Sequence, residues 1–297
     1  MRAPGGMRLR LIAHLRLARI SNVPTIVSNV LAGAALAGLW EQGISGMYMP
    51  QWGSVLLIVL TMALFYTAGM YLNDYFDFRI DCRERPERPL PSGVLSRTTV
   101  LVCVCGYFAA GLVALAMVRP QALVPGVLLI GVIVLYDYWH KQNRLGHWVM
   151  ALARSLVYVT TFVALAGMHV WPLIWAAVAM LFYVAGLTYI ARNETRNDFR
   201  RYWPVGFLVL PVLYFCWQTA GVFLLVPVVF SVWCGWALWF VYRRTGKSIG
   251  GGIVRLIAGI ALLDAMVLAS GGLSLLVCMA LVLFVLTRVL QRYIPGS

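Results

Sequence analysis

Residues 52–81 read WGSVLLIVLTMALFYTAGMYLNDYFDFRID, and this stretch decides the fold. From Trp52 to Leu72 it carries no charged residue, a length close to the ~20 residues that cross a hydrocarbon core as a helix. The run then ends on Asn73, Asp74, Asp77 and Asp81. The three aspartates are spaced i, i+3 and i+7, so a helical extension of the span sets them on one face. Asn73 adds a neutral oxygen ligand beside them. Carboxylates in a row repel one another, and such a group is stable only with cations between them. An all-oxygen ligand set suits a hard cation, Mg2+ above all, which binds through a few carboxylates plus substrate phosphates.

The rest of the chain repeats the apolar part of this pattern. Of 297 residues, 62% are hydrophobic and 11% charged, with a mean hydropathy of +0.83. A soluble domain carries roughly a quarter charged residues, so most of this surface faces lipid. The alternation of a membrane barrel strand is absent. Apolar runs predict ten helical spans, at 20–40, 52–75, 97–118, 121–139, 147–167, 171–191, 203–220, 222–242, 251–270 and 272–291. The expectation is an all-α, polytopic membrane bundle of nine to ten transmembrane helices around a central cavity. Residues 1–297 form one integral membrane domain, with 1–19 as an interfacial N-terminal segment. The run from Ile20 to Leu39 is too long for the apolar part of a signal peptide. The six cysteines give no disulfide framework, and the four histidines lack metal-ligand spacing.

Lys and Arg fill alternate loops: Arg79, Arg83, Arg85, Arg88 and Arg97 after the second span, Lys141 and Arg144 after the fourth. Arg192, Arg196, Arg200 and Arg201 follow the sixth, and Arg243, Arg244 and Lys247 the eighth. These loops and the N-terminus are therefore expected to face the cytoplasm, with a bacterial inner membrane as the setting. The net charge of +14 reads as topology plus anion binding. No nucleic-acid partner is expected, because the charge is divided among membrane loops instead of gathered on one face.

Seven of the ten acidic residues lie in two of these loops, and the second group resembles the first. Phe65 to Gly69 (FYTAG) and Phe182 to Gly186 (FYVAG) match at an offset of 117 residues, and the same offset carries Asp77 to Glu194 and Asp81 to Asp198. The simplest reading is an internal pseudo-repeat whose two acidic faces meet across the cavity. Two acidic clusters beside many arginines imply a phosphate-bearing substrate clamped through metal, with Arg88 and Lys141 placed to contact diphosphate oxygens. Arg154, inside the fifth span, is expected to face the cavity instead of lipid. Asp264, in the ninth, raises the same question, and Arg255 lies too far along the helix to pair with it.

Asn73 to Asp81 (NDYFDFRID) fits the NDxxDxxxD motif of the UbiA family of intramembrane prenyltransferases, and Glu87 to Gly93 (ERPLPSG) resembles that family's Arg-Pro-Leu-x-Ser-Gly segment. Arg19 to Pro24, Tyr136 followed by Lys141, and Glu194 with Asp198 are further points of likeness, over roughly residues 15–245. Glu194 stands where the family's second motif usually begins with Asp. The resemblance implies Mg2+-dependent transfer of a prenyl group from a prenyl diphosphate to an aromatic or other lipid-pathway acceptor within the bilayer. It implies Asn73, Asp74, Asp77, Asp81, Glu194 and Asp198 as the metal set, with Asp77, Asp81 and Asp198 catalytic. Asn22, Asn73, Arg88, Tyr136, Lys141 and Arg154 would bind substrate. Tyr66, Tyr71 and Tyr183 would offer ring faces to an allylic cation, or serve only as interfacial belt residues.

Two other readings compete. The Asp-x-x-Asp-Gly-x-x-Ala-Arg pattern of the CDP-alcohol phosphotransferases is absent, since Phe78 follows Asp77. A non-catalytic membrane carrier or accessory protein binding an isoprenoid or metabolite would share the composition but release no pyrophosphate.

Overall fold

The computed structural model describes residues 6–38, 50–139, 143, 145–194, 203–243 and 246–294; for 7–8, 50–51, 193–194, 203 and 246–249 only the backbone is described. Every regular element among them is helical. The α-helices are α1 (Met7–Leu17), α2 (Val23–Leu36), α3 (Pro50–Glu84), α4 (Arg97–Val118), α5 (Leu123–Trp139) and α6 (Gly146–Ala164). They continue with α7 (Val170–Glu194), α8 (Trp203–Gln218), α9 (Leu225–Tyr242), α10 (Gly246–Ser270) and α11 (Ser274–Tyr293). Eight are long and apolar enough to cross a membrane, and the other two expected spans are shorter apolar segments, Ile20–Leu36 and Pro204–Gln218.

The first span is shorter than its hydropathy suggests. Arg19 adopts a left-handed backbone (φ 42°), a 3-10 turn covers Ile20–Asn22, and only then does α2 begin, with Pro24 in its first turn. The second span is longer. Its 35 residues run unbroken to Glu84, about 52 Å at 1.5 Å per residue. That exceeds a hydrocarbon core of about 30 Å, so the acidic motif rides on a rigid extension of the helix.

α10 is the centre of the bundle: 83% of its apolar window is buried, against 17% for α11, which faces outward. It packs on α2, α7, α9 and α11. A Cβ on Gly252 would come within 2.8 Å of the Ala237 carbonyl oxygen, so α9 and α10 meet almost backbone to backbone. Asp264, fully buried on α10, finds its partners on two other helices. Ser28 donates to it at 2.5 Å, Asn29 at 2.8 Å, and Tyr158 through its hydroxyl. Three helices are thereby tied together inside the apolar layer, where an unpaired carboxylate would be very costly.

The FYTAG and FYVAG copies fall at corresponding places on α3 and α7, and Ala68 and Ala185 are both fully buried. Their neighbours differ. A Cβ on Gly69 would meet Ile133 of α5 at 2.9 Å, and one on Gly186 the Pro204 carbonyl of α8 at 3.0 Å. The matched tyrosines also differ: Tyr66 lines a cavity, while Tyr183 is buried and donates to the Leu256 carbonyl at 2.8 Å. The copies thus share close helix packing, while their tyrosines stand in different settings.

Candidate active site

α3 presents its acids as the spacing predicts. Asn73, Asp74 and Asp81 are buried, Asp77 is half-buried, and Phe76, Arg79 and Ile80 point outward. Two guanidiniums stand among the carboxylates. Arg88 lies 2.8 Å from Asp81 and 3.6 Å from Asp74, and Arg19 lies 3.6 Å from Asp74. Like charges on one helix face are thus offset by cations, as repulsion demands.

Local sequence explains both arginines. After α3 the chain turns through Pro89 and Gly93 (φ 75°), with Ser92 and Leu95 donating backbone bonds to Arg88 and Pro89, and Ser96 caps α4 by accepting from the Thr99 amide at 3.0 Å. That fold-back returns Arg88 to α3. Arg19 is carried by its left-handed turn, a conformation costing about 1–3 kcal/mol for a residue other than glycine. Its side chain gains Asn73, donating to the amide oxygen at 3.4 Å.

Below this charged layer lies a cavity of about 280 Å³ among α2, α3, α5, α6, α7 and α10. Its walls are apolar: Phe65 and Met70 on one side, Leu187, Ile257 and Ile260 on the other. Its polar lining comes from Arg19, Asn22, Tyr66, Tyr136, Asp137, Arg154 and Thr188. Asn22 accepts from Gln291 at 3.1 Å, which brings the end of α11 to the same side as the acids. Arg154, on the cavity wall, donates to the buried Thr25 hydroxyl behind it. Of the substrate-binding residues expected from sequence, Asn22, Tyr136 and Arg154 line the cavity, and Asn73 and Arg88 stand in the charged layer.

Three expectations lie beyond what is described: Lys141, Asp198 and the side chain of Glu194 fall outside the described residues. Two others need correction. Tyr71 packs between α1 and α4 against His14 and Tyr107, and Tyr183 is enclosed by α9 and α10, so neither lines the cavity. Their buried hydroxyls find protein partners, which places them in the framework. Tyr66 alone of the three lines it.

Two residues that sequence reasoning passed over belong here. Arg19 was named only as the start of the stretch Arg19 to Pro24 and in the basic N-terminus, with no role at the acids. Asp137, on α5, was not singled out at all, yet it is buried and accepts from the Asn73 amide nitrogen at 3.3 Å. An isolated acid in an otherwise apolar run was the only signal available.

The oxygen-only donor set suits a hard cation, and two buried carboxylate oxygens, Asp74 Oδ1 and Asp137 Oδ2, have no hydrogen-bond partner. Among the described residues no three Asp, Glu, His or Cys side chains converge into a finished cage. The residues present therefore fit an ion that takes its remaining ligands from phosphate and water, the habit of Mg2+.

The sequence model of the UbiA prenyltransferase family matches residues 27–295. A digeranylgeranylglyceryl phosphate synthase of Sulfolobus acidocaldarius is 30% identical over 148 residues, 48% of this chain and 50% of that protein. A protein of the same name from Methanopyrus kandleri is 28% identical over 223 residues, 74% of each chain. A 4-hydroxybenzoate octaprenyltransferase of a Marinomonas species is 26% identical over 166 residues, 54% of this chain and 58% of that one. The chain thus spans little more than half the length of the Sulfolobus and Marinomonas proteins. A solved structure described as digeranylgeranylglyceryl phosphate synthase in membranes aligns with a TM-score of 0.63 at 20% identity, over 88% of this chain and 98% of that one. The apo structure of a UbiA homolog from Aeropyrum pernix K1 gives 0.51 at 16% identity, over 90% and 95%. At such identities the structures speak to the fold alone. The family match runs from α2 to the end of α11, across the acidic face and the cavity beneath it, and the chain belongs to the UbiA prenyltransferase family.

Proposed function

We propose that this protein transfers a prenyl group from a prenyl diphosphate to an aromatic or lipid-pathway acceptor inside the membrane, with Mg2+ as cofactor. One observation carries the reading: a charged layer holding Arg19, Asn73, Asp74, Asp81 and Arg88 lies directly over an apolar cavity between helices. An isoprenoid chain is as apolar as lipid and suits Phe65, Met70, Leu187 and Ile257, while its diphosphate must remain in the charged layer. Asn73, Asp74, Asp77 and Asp81 would hold Mg2+ from α3, and Glu194 and Asp198 would complete the set. Bound there, the ion neutralises charge on the departing pyrophosphate.

The chain's own residues supply the rest. Arg19 and Arg88 offer fixed positive charge where the C1–O electron pair collects on the leaving oxygen. Tyr66 turns an aromatic ring toward the cavity beside the carbon that becomes cationic. The acceptor's electron pair forms the new bond to C1, and its displaced proton leaves with the pyrophosphate. Arg154, deeper in the cavity, and Asn22, near its charged end, suit an acceptor with an anionic or hydroxylated head. We place the acidic end at the cytoplasmic face, following the Lys and Arg distribution.

Purified protein given labelled prenyl diphosphates, Mg2+ and a membrane extract should release pyrophosphate and yield a prenylated product. Binding of the prenyl diphosphate without any release would instead establish a carrier.

A further inference from the structure

Asp137 is an unusual residue for its position. It sits on α5, only 4% exposed, in a run of apolar side chains, and its Oδ2 has no hydrogen-bond partner. A carboxylate oxygen left bare in such surroundings is strongly unfavourable, so its site must supply something. Among the described residues, the donors of Asn73, Arg19 and Arg88 serve other atoms. The Asn73 amide nitrogen bonds the other oxygen of Asp137 at 3.3 Å, Arg19 serves Asn73 and Asp74, and Arg88 serves Asp81.

A second buried carboxylate oxygen without a hydrogen bond belongs to the next residue of the motif. Asp74 follows Asn73 on α3, and its buried Oδ1 also lacks a hydrogen-bond partner, with guanidiniums no nearer than 3.6 Å. Asn73 thus links, by its hydrogen bond to Asp137 and by its place beside Asp74 in the chain, two carboxylates from two helices that each carry a buried oxygen without a hydrogen bond, and Asp137 lines the cavity. A proton could relieve one of them, but a single divalent cation relieves both.

We infer that Asp137 is a divalent-cation ligand, so that the first metal site is built across α3 and α5 by Asp74, Asn73 and Asp137 instead of by α3 alone. This rests on the reading of the acidic end as a diphosphate site, and it deepens that reading. Two carboxylates, joined by the Asn73 amide oxygen once it turns from Arg19 to the ion, leave coordination positions for pyrophosphate oxygens and water, the mixed shell that Mg2+ favours. An ion held in this way needs less from the second acidic motif, in which Glu194 replaces the usual Asp.

The test uses the full chain in lipid nanodiscs, with Mn2+ in place of Mg2+ and inorganic pyrophosphate as the only co-ligand. Free Mn2+ is read by electron paramagnetic resonance, so the result does not depend on turnover and its failure is distinguishable from failure of the transferase reading. Asp137→Asn and Asp137→Ala should weaken Mn2+ binding by at least about tenfold, the lower end of what outer-shell changes alone cost. Asp74→Asn should do the same, and the thermal midpoints of the metal-free proteins should stay close to wild type. Unchanged Mn2+ affinity in both Asp137 variants overturns the proposal, including the case in which only acceptor KM responds. If the variants do not fold, wild-type crystals soaked in Mn2+ and pyrophosphate decide: an anomalous peak at about 2.1 Å from an Asp137 oxygen supports it. A peak on Asp74 without Asp137, or no bound ion, overturns it.

Discussion

Arg88 Nη1 lies 2.8 Å from Asp81 and 3.6 Å from Asp74, so one guanidinium bridges two carboxylates seven residues apart on the same helix. The bridge exists because the chain after α3 folds back through Pro89 and Gly93 before α4 begins. A loop residue thus becomes part of the helix face that it follows.

That geometry gives Arg88 two duties, holding the acids together and meeting the diphosphate. Arg88→Ala should lower the rate of pyrophosphate release by roughly 10²–10³-fold, the cost of losing one charged donor at a leaving group. Arg88→Lys should recover only part of this, since the shorter side chain ends in a point charge without the guanidinium's fork of donors. Steady-state kinetics on all three proteins decide the matter. A full rate in the alanine variant would reduce Arg88 to a structural pin.

The Asp264 cluster is expected to be structural. Its donors Ser28, Asn29 and Tyr158 come from α2 and α6, and replacing the carboxylate leaves them unpaired in a dry core. Asp264→Ala should destabilise the protein by about 1–3 kcal/mol for each donor left without a partner. Thermal melting followed by tryptophan fluorescence reports this, and adding Ser28→Ala should return part of the loss. A midpoint unchanged from wild type would mean that water or lipid satisfies these groups.

Close helix contact offers a second stability test. Gly252→Ala drives a methyl group against the Ala237 carbonyl, which is backbone and cannot move alone, whereas at Gly69 the obstacle is a single side-chain methyl, Cγ2 of Ile133. The first change should cost about 1–3 kcal/mol and the second clearly less. Equal melting temperatures would show that α9 and α10 separate easily.

The orientation of the bundle can be read from a native thiol. Cys82 is exposed on the last turns of α3, beside the acids. With the other cysteines replaced by serine, an impermeant thiol reagent should miss Cys82 on intact cells and label it after permeabilisation. Labelling from outside would invert the topology.

The helices were legible in the sequence because lipid demands long apolar runs, and a run announces itself locally. The acidic face of α3 was legible for the same reason, since i, i+3, i+7 is a property of one helix. Asp137 and Arg19 were not. Each acquires meaning only when folding sets α5 and the turn before α2 against Asn73, contacts separated by 64 and 54 residues in the chain. Asp264 was visible as a misplaced charge, but its partners Ser28 and Asn29 lie 236 and 235 residues away, and no local pattern points to them. The first span was read too long because hydropathy does not register that the helix ends at Leu36, just before Gly38 (φ 84°).

The two acidic motifs should contribute unequally to turnover. Asp74, Asp77 and Asp81 form the complete set on α3, and Asp77 is half-buried on the face that carries the others. Asp77→Ala should leave a cation under-coordinated beside the diphosphate, at a cost on the order of a thousandfold in rate. The fold should survive, because a carboxylate at the end of a rigid helix supports little packing. Glu194 carries one methylene more than the Asp usual at that point of the family motif. Glu194→Asp should therefore retain more activity than Glu194→Ala, and the alanine variant should lose less than Asp77→Ala if Asp137 already completes the first site. The measurement is pyrophosphate release against Mg2+ concentration for the three variants and wild type. A shift of the Mg2+ dependence to higher concentration in Asp77→Ala, larger than in Glu194→Ala, is the expected result. Full activity in both alanine variants would mean that these acids hold no metal, and the carrier reading would then replace the transferase.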